Sequence, residues 1–503
     1  MTSPFPFLIR HAQRWASAGL ACLLLQTDSA SEVRAEPLSA DQAAREVRIL
    51  TKALNSLHPA LTKYRSQVEI SAAFARFEQR GQAARSAAEM YLAATELAAA
   101  IRCGHTWTNV LNQAGAAKTG LLEPANKLPL LLGLVEGRWL VLASADPAVA
   151  AGDEVLAVDG VGAAQMVERL MPYLRADGSS DGKRLRQLSH DRNDYSQLDM
   201  LWPLLSPPQE GRYRVELRRA SGERLTLALQ AVSLSEREAA LSARGRLTPP
   251  SEAWTFKVDG DVATLTMPSW SVWNSKFDWA AFIDESFARL KREQVPHLVI
   301  DIRANEGGDG AVGNRLLSHL IREPLSYQRL QNVSSYERVP YALARYLDTW
   351  DYSFFDRTGD VEPITVGTAA GKFRLKSKAS SPGLITPVAT PYAGQAFVLV
   401  GAENSSATFV FADFVQRAHA ATLVGQPTGG NQRGLNGGQL AWVVLPHSGV
   451  AVDIPLLAAA YTEATPDASV TPELLVQPSF AAAAAGRDLE MEAVVARIAQ
   501  RRK

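Results

Sequence analysis

From Trp254 onward the chain alternates short apolar runs with amphipathic ones, and this alternation restricts the fold more than any other feature. "HLVIDIR", "AFVLVGA" and "ATLVGQP" are nearly continuous apolar runs, as strands buried on both sides require. Between them "GAVGNRLLSHLI" and "SATFVFADFVQRA" read as helices, and Trp279, Phe282, Ile283, Phe287 and Leu290 share one helical face. Strands separated by helices need crossovers, and hence a largely parallel sheet. Ligand sites in such sheets lie beyond the carboxyl ends of the strands. The loops after "VIDIR" and "VLVGA" are therefore the places to look.

Upstream, the period is first helical and then β-like. Ser39 to Gln42 and Ser86 to Glu89 have capping-box spacing. Val47, Leu50, Leu54 and Leu57 then recur at helical intervals up to Pro59, followed by Ile70, Phe74 and Phe77, and by Met90, Leu97 and Ile101. This predicts a small helical bundle over residues 36–110. "RWLVLAS", "AAGDEVLAVDG" and a hairpin with its tip at "ASGE" predict a β-rich module over residues 128–232. The polar stretch that follows, to Pro250, reads as a linker, and the α/β core occupies residues 252–503.

At the start of the chain, Arg10, His11 and Arg14 precede "WASAGLACLLL" and then small residues, the pattern of a secretory signal over residues 1–35 with cleavage after Ala35. Export to the periplasm or the extracellular space is expected, with no integral membrane segment in the mature chain. Lys+Arg and Asp+Glu are both 52, so the net charge is zero and nothing favours nucleic acid as a partner. Removing the leader takes Cys22 and leaves Cys103, which lies two residues before His105. A Cys/His pair is conceivable there, although a buried inert thiol is the commoner role. No Cys/His cluster has zinc spacing, and no cofactor is implied.

Two loops could carry chemistry. In "ANEGGDGAVGN", Gly307 and Gly308 stand where a strand turns into a helix, so their amides can face developing negative charge. In "ENSSATF", Ser405 and Ser406 stand at the next such junction. A serine there is either an N-cap or a nucleophile with helix amides beside the oxyanion it creates. In combination, "LVIDIRANEGGDG", "VLVGAENSSATFVFADF" and "LVGQPTGGNQRG" resemble the core motifs of the tail-specific (C-terminal processing) serine peptidases. "AAGDEVLAVDG" resembles the PDZ-type module of that family, "VTPELLV" its closing strand, and "HP" at His58 with "GHT" at His105 the helical region of some members.

The resemblance implies a multidomain α/β protein: a helical bundle, a PDZ-like module and a crotonase/ClpP-like catalytic core. It selects Ser406 as nucleophile. The lysine of the Ser/Lys members is absent, since Thr428, Gly429 and Gly430 are followed by Asn431. The branch that includes the tricorn core protease and chlamydial protease-like activity factor uses Ser, His and Glu, which points to His105 as general base. His58, His297 and His447 have weaker cases. Glu463 falls where the family's acid lies, with Asp467 as the alternative. The family's helix-start Glu is replaced by Thr408 or Phe409. Ala407 and one of Gly307 or Gly308 would form the oxyanion hole, and the substrate would be a polypeptide. A non-catalytic peptide- or ligand-binding relative, or a crotonase-type enzyme, are the alternatives; oligomeric state is not readable.

Overall fold

Ser39 accepts a hydrogen bond from the Gln42 amide at 3.2 Å, and Gln42 Oε1 accepts one from the Ser39 amide at 2.8 Å, so helix α1 (Ala40–Leu57) starts where the capping-box spacing places it. Ser66 and Glu69 open α2 (Gln67–Ala83) in the same way, and Ser86 caps α3 (Ala87–Ala100). Leu50, Leu54, Ile70, Phe77, Met90 and Leu97 are buried between these helices. The computed structural model describes residues 37–190, 195–243, 254–273, 275–326, 330–367, 369–376, 383–461 and 464–501, and the expected leader lies outside them.

The β-rich module is an antiparallel sheet. It is built from β1 (Leu130–Val135), β2 (Arg138–Ser144), β3 (Glu154–Val158), β4 (Val161–Gly162), β5 (Arg212–Arg218) and β6 (Arg224–Gln230). Its order is β1-β2-β3-β5-β6, with β4 on β3. The predicted hairpin pairs Arg212 with Gln230 and Arg218 with Arg224, and buries Tyr213, Val215 and Leu217 on one face. Helix α4 (Ala163–Leu170) packs on the sheet through Met166 and Leu170.

The stretch read as a linker is partly helical, which corrects that expectation. Ser233 and Glu236 make reciprocal backbone hydrogen bonds at the start of a helix over Leu234–Ala243. Arg237 is fully buried and forms two 2.7 Å hydrogen bonds to Asp199 on helix Gln197–Leu205. His190 Nε2 lies 2.8 Å from the same carboxylate. Polarity suggested solvent, but a carboxylate elsewhere in the chain makes burial of this guanidinium tolerable.

The core sheet contains β7 (Thr255–Asp259), β8 (Val262–Thr266), β9 (His297–Asp301), β10 (Gln395–Val400), β11 (Thr422–Gly425) and β12 (Leu474–Leu475). Its order is β12-β11-β10-β9-β8-β7, and every pairing is parallel except β7 with β8. Leu298, Ile300, Val398 and Val400 pack against helices Trp279–Arg292, Gly310–Leu320 and Ser406–Arg417. On the other face, Val299, Phe397, Leu399 and Val424 pack against Val494 and Ile498 of helix Leu489–Arg501. Burial on both faces explains the unbroken apolar runs. The hairpin Leu440–Val444/Ala451–Pro455 adds Val443, Val452 and Ile454 to the core of the N-terminal helices and β-rich module.

Burial opposes ionisation of Asp199, but His190 and Arg237 outweigh it and hold the carboxyl well below the usual carboxylate range. Its stabilising effect is therefore present above that range and is lost as pH falls through the lowered value. Asp199→Ala strands a buried guanidinium, and urea unfolding near neutral pH should show a loss of about 3–5 kcal/mol.

Candidate active site

Leu399 pairs with Asp301, so β9 and β10 end side by side and the loops that leave them meet. Asn404 and Asn305 knit these loops together. Asn404 Nδ2 donates to the carbonyls of Ile302 and Asn305, at 2.5 and 2.9 Å, and Asn404 Oδ1 accepts from the Gly401 amide at 2.8 Å. The Asn404 carbonyl also accepts the amides of Gly429 and Gly430, which brings in the "TGG" loop. Asn305 Nδ2 donates to the Met267 carbonyl at 2.8 Å. Both amides are fully buried, where loss of a partner costs about 1–3 kcal/mol.

Ser406 is the first residue of helix Ser406–Arg417 and has φ 48°. The other described non-glycine residues with positive φ lie in turns, where that backbone is ordinary. A serine held so at the start of a helix costs roughly 1–3 kcal/mol, a strain that plain capping does not require. The capping role is also vacant at Ser405, whose hydroxyl donates to the Glu306 carbonyl at 3.1 Å and makes no cap bond. Thr408 Oγ1 donates to the Asn305 carbonyl at 2.9 Å, tying the helix start to the glycine loop. Phe409, at the other position considered for the family's Glu, is buried with its ring against Gly430.

Gly307 and Gly308 have φ 135° and 132°, which side-chain-bearing residues rarely adopt. A Cβ on Gly307 would stand 2.9 Å from Ser406 Cβ, and one on Gly308 would stand 2.2 Å from the Trp270 carbonyl carbon. Of the two expected donors, the Gly307 amide is already bonded to Asn305 Oδ1 at 3.0 Å. The amides of Gly308 and Ala407 have no acceptor among the described residues. The donor pair left to face an oxyanion is therefore Gly308 and Ala407.

His105 arrives from the far end of the chain on a segment pinned at nearly every residue. Asn436 Nδ2 lies 3.4 Å from Cys103 Sγ, and the Gly104 amide donates to Asp177 at 2.9 Å. Arg175 donates to the Gly104 carbonyl and stacks on Trp107 at 3.9 Å. The Trp107 carbonyl accepts the Asp453 amide at 2.8 Å. The Ala60 amide donates to His58 Nδ1, so His58 Nε2 carries the proton that reaches Thr106 Oγ1 at 3.1 Å. The "HP" and "GHT" motifs are thus in contact.

The His105 ring lies over Gly437, where a Cβ would come 3.2 Å from Nε2. Burial pushes its pKa below the ordinary value; Asp177 opposes this, Arg175 adds to it, and Glu306 and Lys183 act more weakly in opposite senses. His105 Nδ1 is buried without a hydrogen-bond partner, and no hydrogen bond joins His105 to Ser406 among the described residues. Catalytic hydrogen bonds often tighten only when substrate binds. Glu463, expected to orient the imidazole, lies outside the described residues. Asp467 is occupied by the Ser179 amide at 2.9 Å and Asn431 Nδ2 at 2.6 Å, with no bond to His105. Asn431, at the position of the missing lysine, is a fully buried loop anchor. Cys103 is fully buried and burial raises its thiol pKa, so it behaves as an inert thiol.

The buried His58 has its pKa pushed down from 6.5 to about 3 by burial, with Lys63 and Lys372 adding. Below pH 6.5 the unfolded chain takes up a proton that the folded one refuses, so stability falls as pH drops towards 3. The contribution approaches about 1.4 kcal/mol per pH unit. Thermal melts across this window should show a shallower pH dependence for His58→Gln than for the unaltered protein.

Residues 261–454 match the sequence model of Peptidase family S41. No curated protein matches the chain. Among solved structures, the fold is similar to mature CPAF complexed with lactacystin, with TM-score 0.59 and 16% identity over 89% of this chain and 95% of that one. Mature CPAF gives TM-score 0.56 and 16% identity, over 88% and 94%. Such identity speaks for the fold alone. The glycine loop and Ser406 fall inside the matched residues and His105 outside them; residues 261–454 thus carry a Peptidase S41 family domain.

Proposed function

We propose that this protein is a serine endopeptidase that cleaves polypeptides through an acyl-enzyme on Ser406. The observation that carries the reading is Ser406 at φ 48° on a helix N-terminus, beside two amides with no acceptor among the described residues. In this mechanism His105 takes the Ser406 proton as the hydroxyl attacks the peptide carbonyl. The tetrahedral oxyanion is received by the amides of Gly308 and Ala407, each worth about 2.7–4 kcal/mol. His105 then protonates the leaving amine, and water, activated by the same imidazole, releases the acyl group. Glu463 is the proposed acid for His105 Nδ1, which is buried and has no partner among the described residues.

An extended peptide would reach the site by adding to the β-rich module, where β6 is an edge strand. Export belongs to the same proposal and rests on the basic, apolar and small-residue order of the first 35 residues. N-terminal sequencing of the protein recovered from an exporting host should begin at Glu36.

Hydrolysis of unfolded casein, followed by release of soluble peptides, tests the reaction. Ser406→Ala and His105→Ala should each lose about 10³-fold or more in rate while remaining folded. The acid limb of kcat/KM should lie below pH 6.5, because the base form of His105 is required and burial lowers its pKa. Hydrolysis that survives Ser406→Ala would overturn the assignment. A folded, inert wild type would favour a peptide-binding relative.

A further inference from the structure

The loop "ANEGGDG" contains one residue that the proposed mechanism leaves unused. Glu306 Oε1 lies 2.8 Å from Arg175 Nη2 and 2.9 Å from Lys183 Nζ. Arg175 also donates through Nη1 to the carbonyl of Gly104, the residue before His105. Lys183 Nζ is 3.1 Å from Glu403 Oε1 and 3.3 Å from the Glu403 carbonyl, three residues before Ser406. Its side chain is only 3% exposed, whereas that of Glu306 is 46% exposed. One carboxylate thus receives a cation tied to the backbone of the His105 segment and a cation tied to the Ser406 loop. It also directly precedes the glycine pair beside Ser406.

We propose that Glu306 is a positioning residue: through Arg175 and Lys183 it aligns the segment that carries His105 with the loops that carry Ser406 and the oxyanion donors. The inference rests on the serine peptidase reading above. Such alignment matters because nucleophile and base come from distant parts of the chain, and a misplacement of about 1 Å can cost 100-fold in rate. Desolvation opposes ionisation of Glu306, but Lys183 and Arg175 outweigh it and hold the carboxyl well below the usual range. Glu306 is therefore a carboxylate wherever the enzyme would work.

The charged groups facing His105 are Asp177, Arg175, Glu306 and Lys183. Glu306→Gln removes a neighbour that favours the imidazolium, so the His105 titration moves to lower pH. Arg175→Met removes a neighbour that disfavours it, so the titration moves to higher pH. Both variants break the bridge. In Glu306→Gln, Lys183 keeps Glu403 and Arg175 keeps the Gly104 carbonyl, which leaves the fold its main contacts.

The test is the rate of labelling by a fluorophosphonate probe across pH 4–9, for the wild type, Glu306→Gln, Glu306→Asp and Arg175→Met. The expected result is a rate lowered roughly 10- to 100-fold in Glu306→Gln and Arg175→Met, with acid limbs displaced in opposite directions and partial rescue in Glu306→Asp. If Glu306→Gln does not fold, the slower rate and upward displacement in Arg175→Met carry the test. Wild-type rate and midpoint in both variants would overturn the positioning role and leave the peptidase reading intact. Slower labelling with unmoved limbs would mark a merely structural role and also overturn it. An unlabelled, folded wild type would remove the peptidase reading, and this inference with it.

Discussion

Parallel pairing of β9 with β10 sets where everything else in the site can stand. With Leu399 opposite Asp301, the two strands finish level, and both loops must turn into helices on the same sheet face. Two loops at such close quarters leave backbone groups that water cannot reach, and Asn305 and Asn404 satisfy them from within. The same two side chains decide which amides are left over. Asn305 takes the Gly307 amide, while those of Gly308 and Ala407 have no acceptor among the described residues. The strained backbone at Ser406 persists because its helix buries Phe411 and Val415, each worth about 1.5–3 kcal/mol, against a strain of similar or smaller size.

The proposed general base arrives by a different route. His105 belongs to the N-terminal half, and its segment is held by hydrogen bonds to Asp177 and Arg175, by contact with His58, and by pairing of Trp107 with Asp453. Nearly every neighbour of the imidazole is fastened, while the imidazole itself is bonded to neither an acid nor Ser406 among the described residues. The polar bridge through Glu306 runs between the segment of His105 and the loop before Ser406.

What could be read in advance follows from how local each signal is. Capping at Ser39 depends on residues three apart and is visible in the letters. The strands at Leu298 and Phe397 are legible because both their faces are buried, which demands unbroken apolar runs. Ser406 was recognisable as a residue at a strand-to-helix junction, but its positive φ was not, since sequence does not encode the crowding that enforces it. The choice of Gly308 over Gly307 turns on one side-chain hydrogen bond. Arg237 reads as a linker residue because its burial depends on Asp199, and nothing near Arg237 in the sequence announces that partner. The Arg175–Glu306–Lys183 bridge is illegible for the same reason: in the sequence each member alone reads as an ordinary surface charge.

The central claim is that Ser406, rather than its neighbour or the buried thiol, is an activated nucleophile. Peptide mapping by mass spectrometry after reaction with a fluorophosphonate measures this directly. An activated Ser406 should give one adduct per chain, on Ser406 Oγ, in folded protein and not in protein unfolded beforehand. An adduct on Ser405, or none on folded protein, would contradict it.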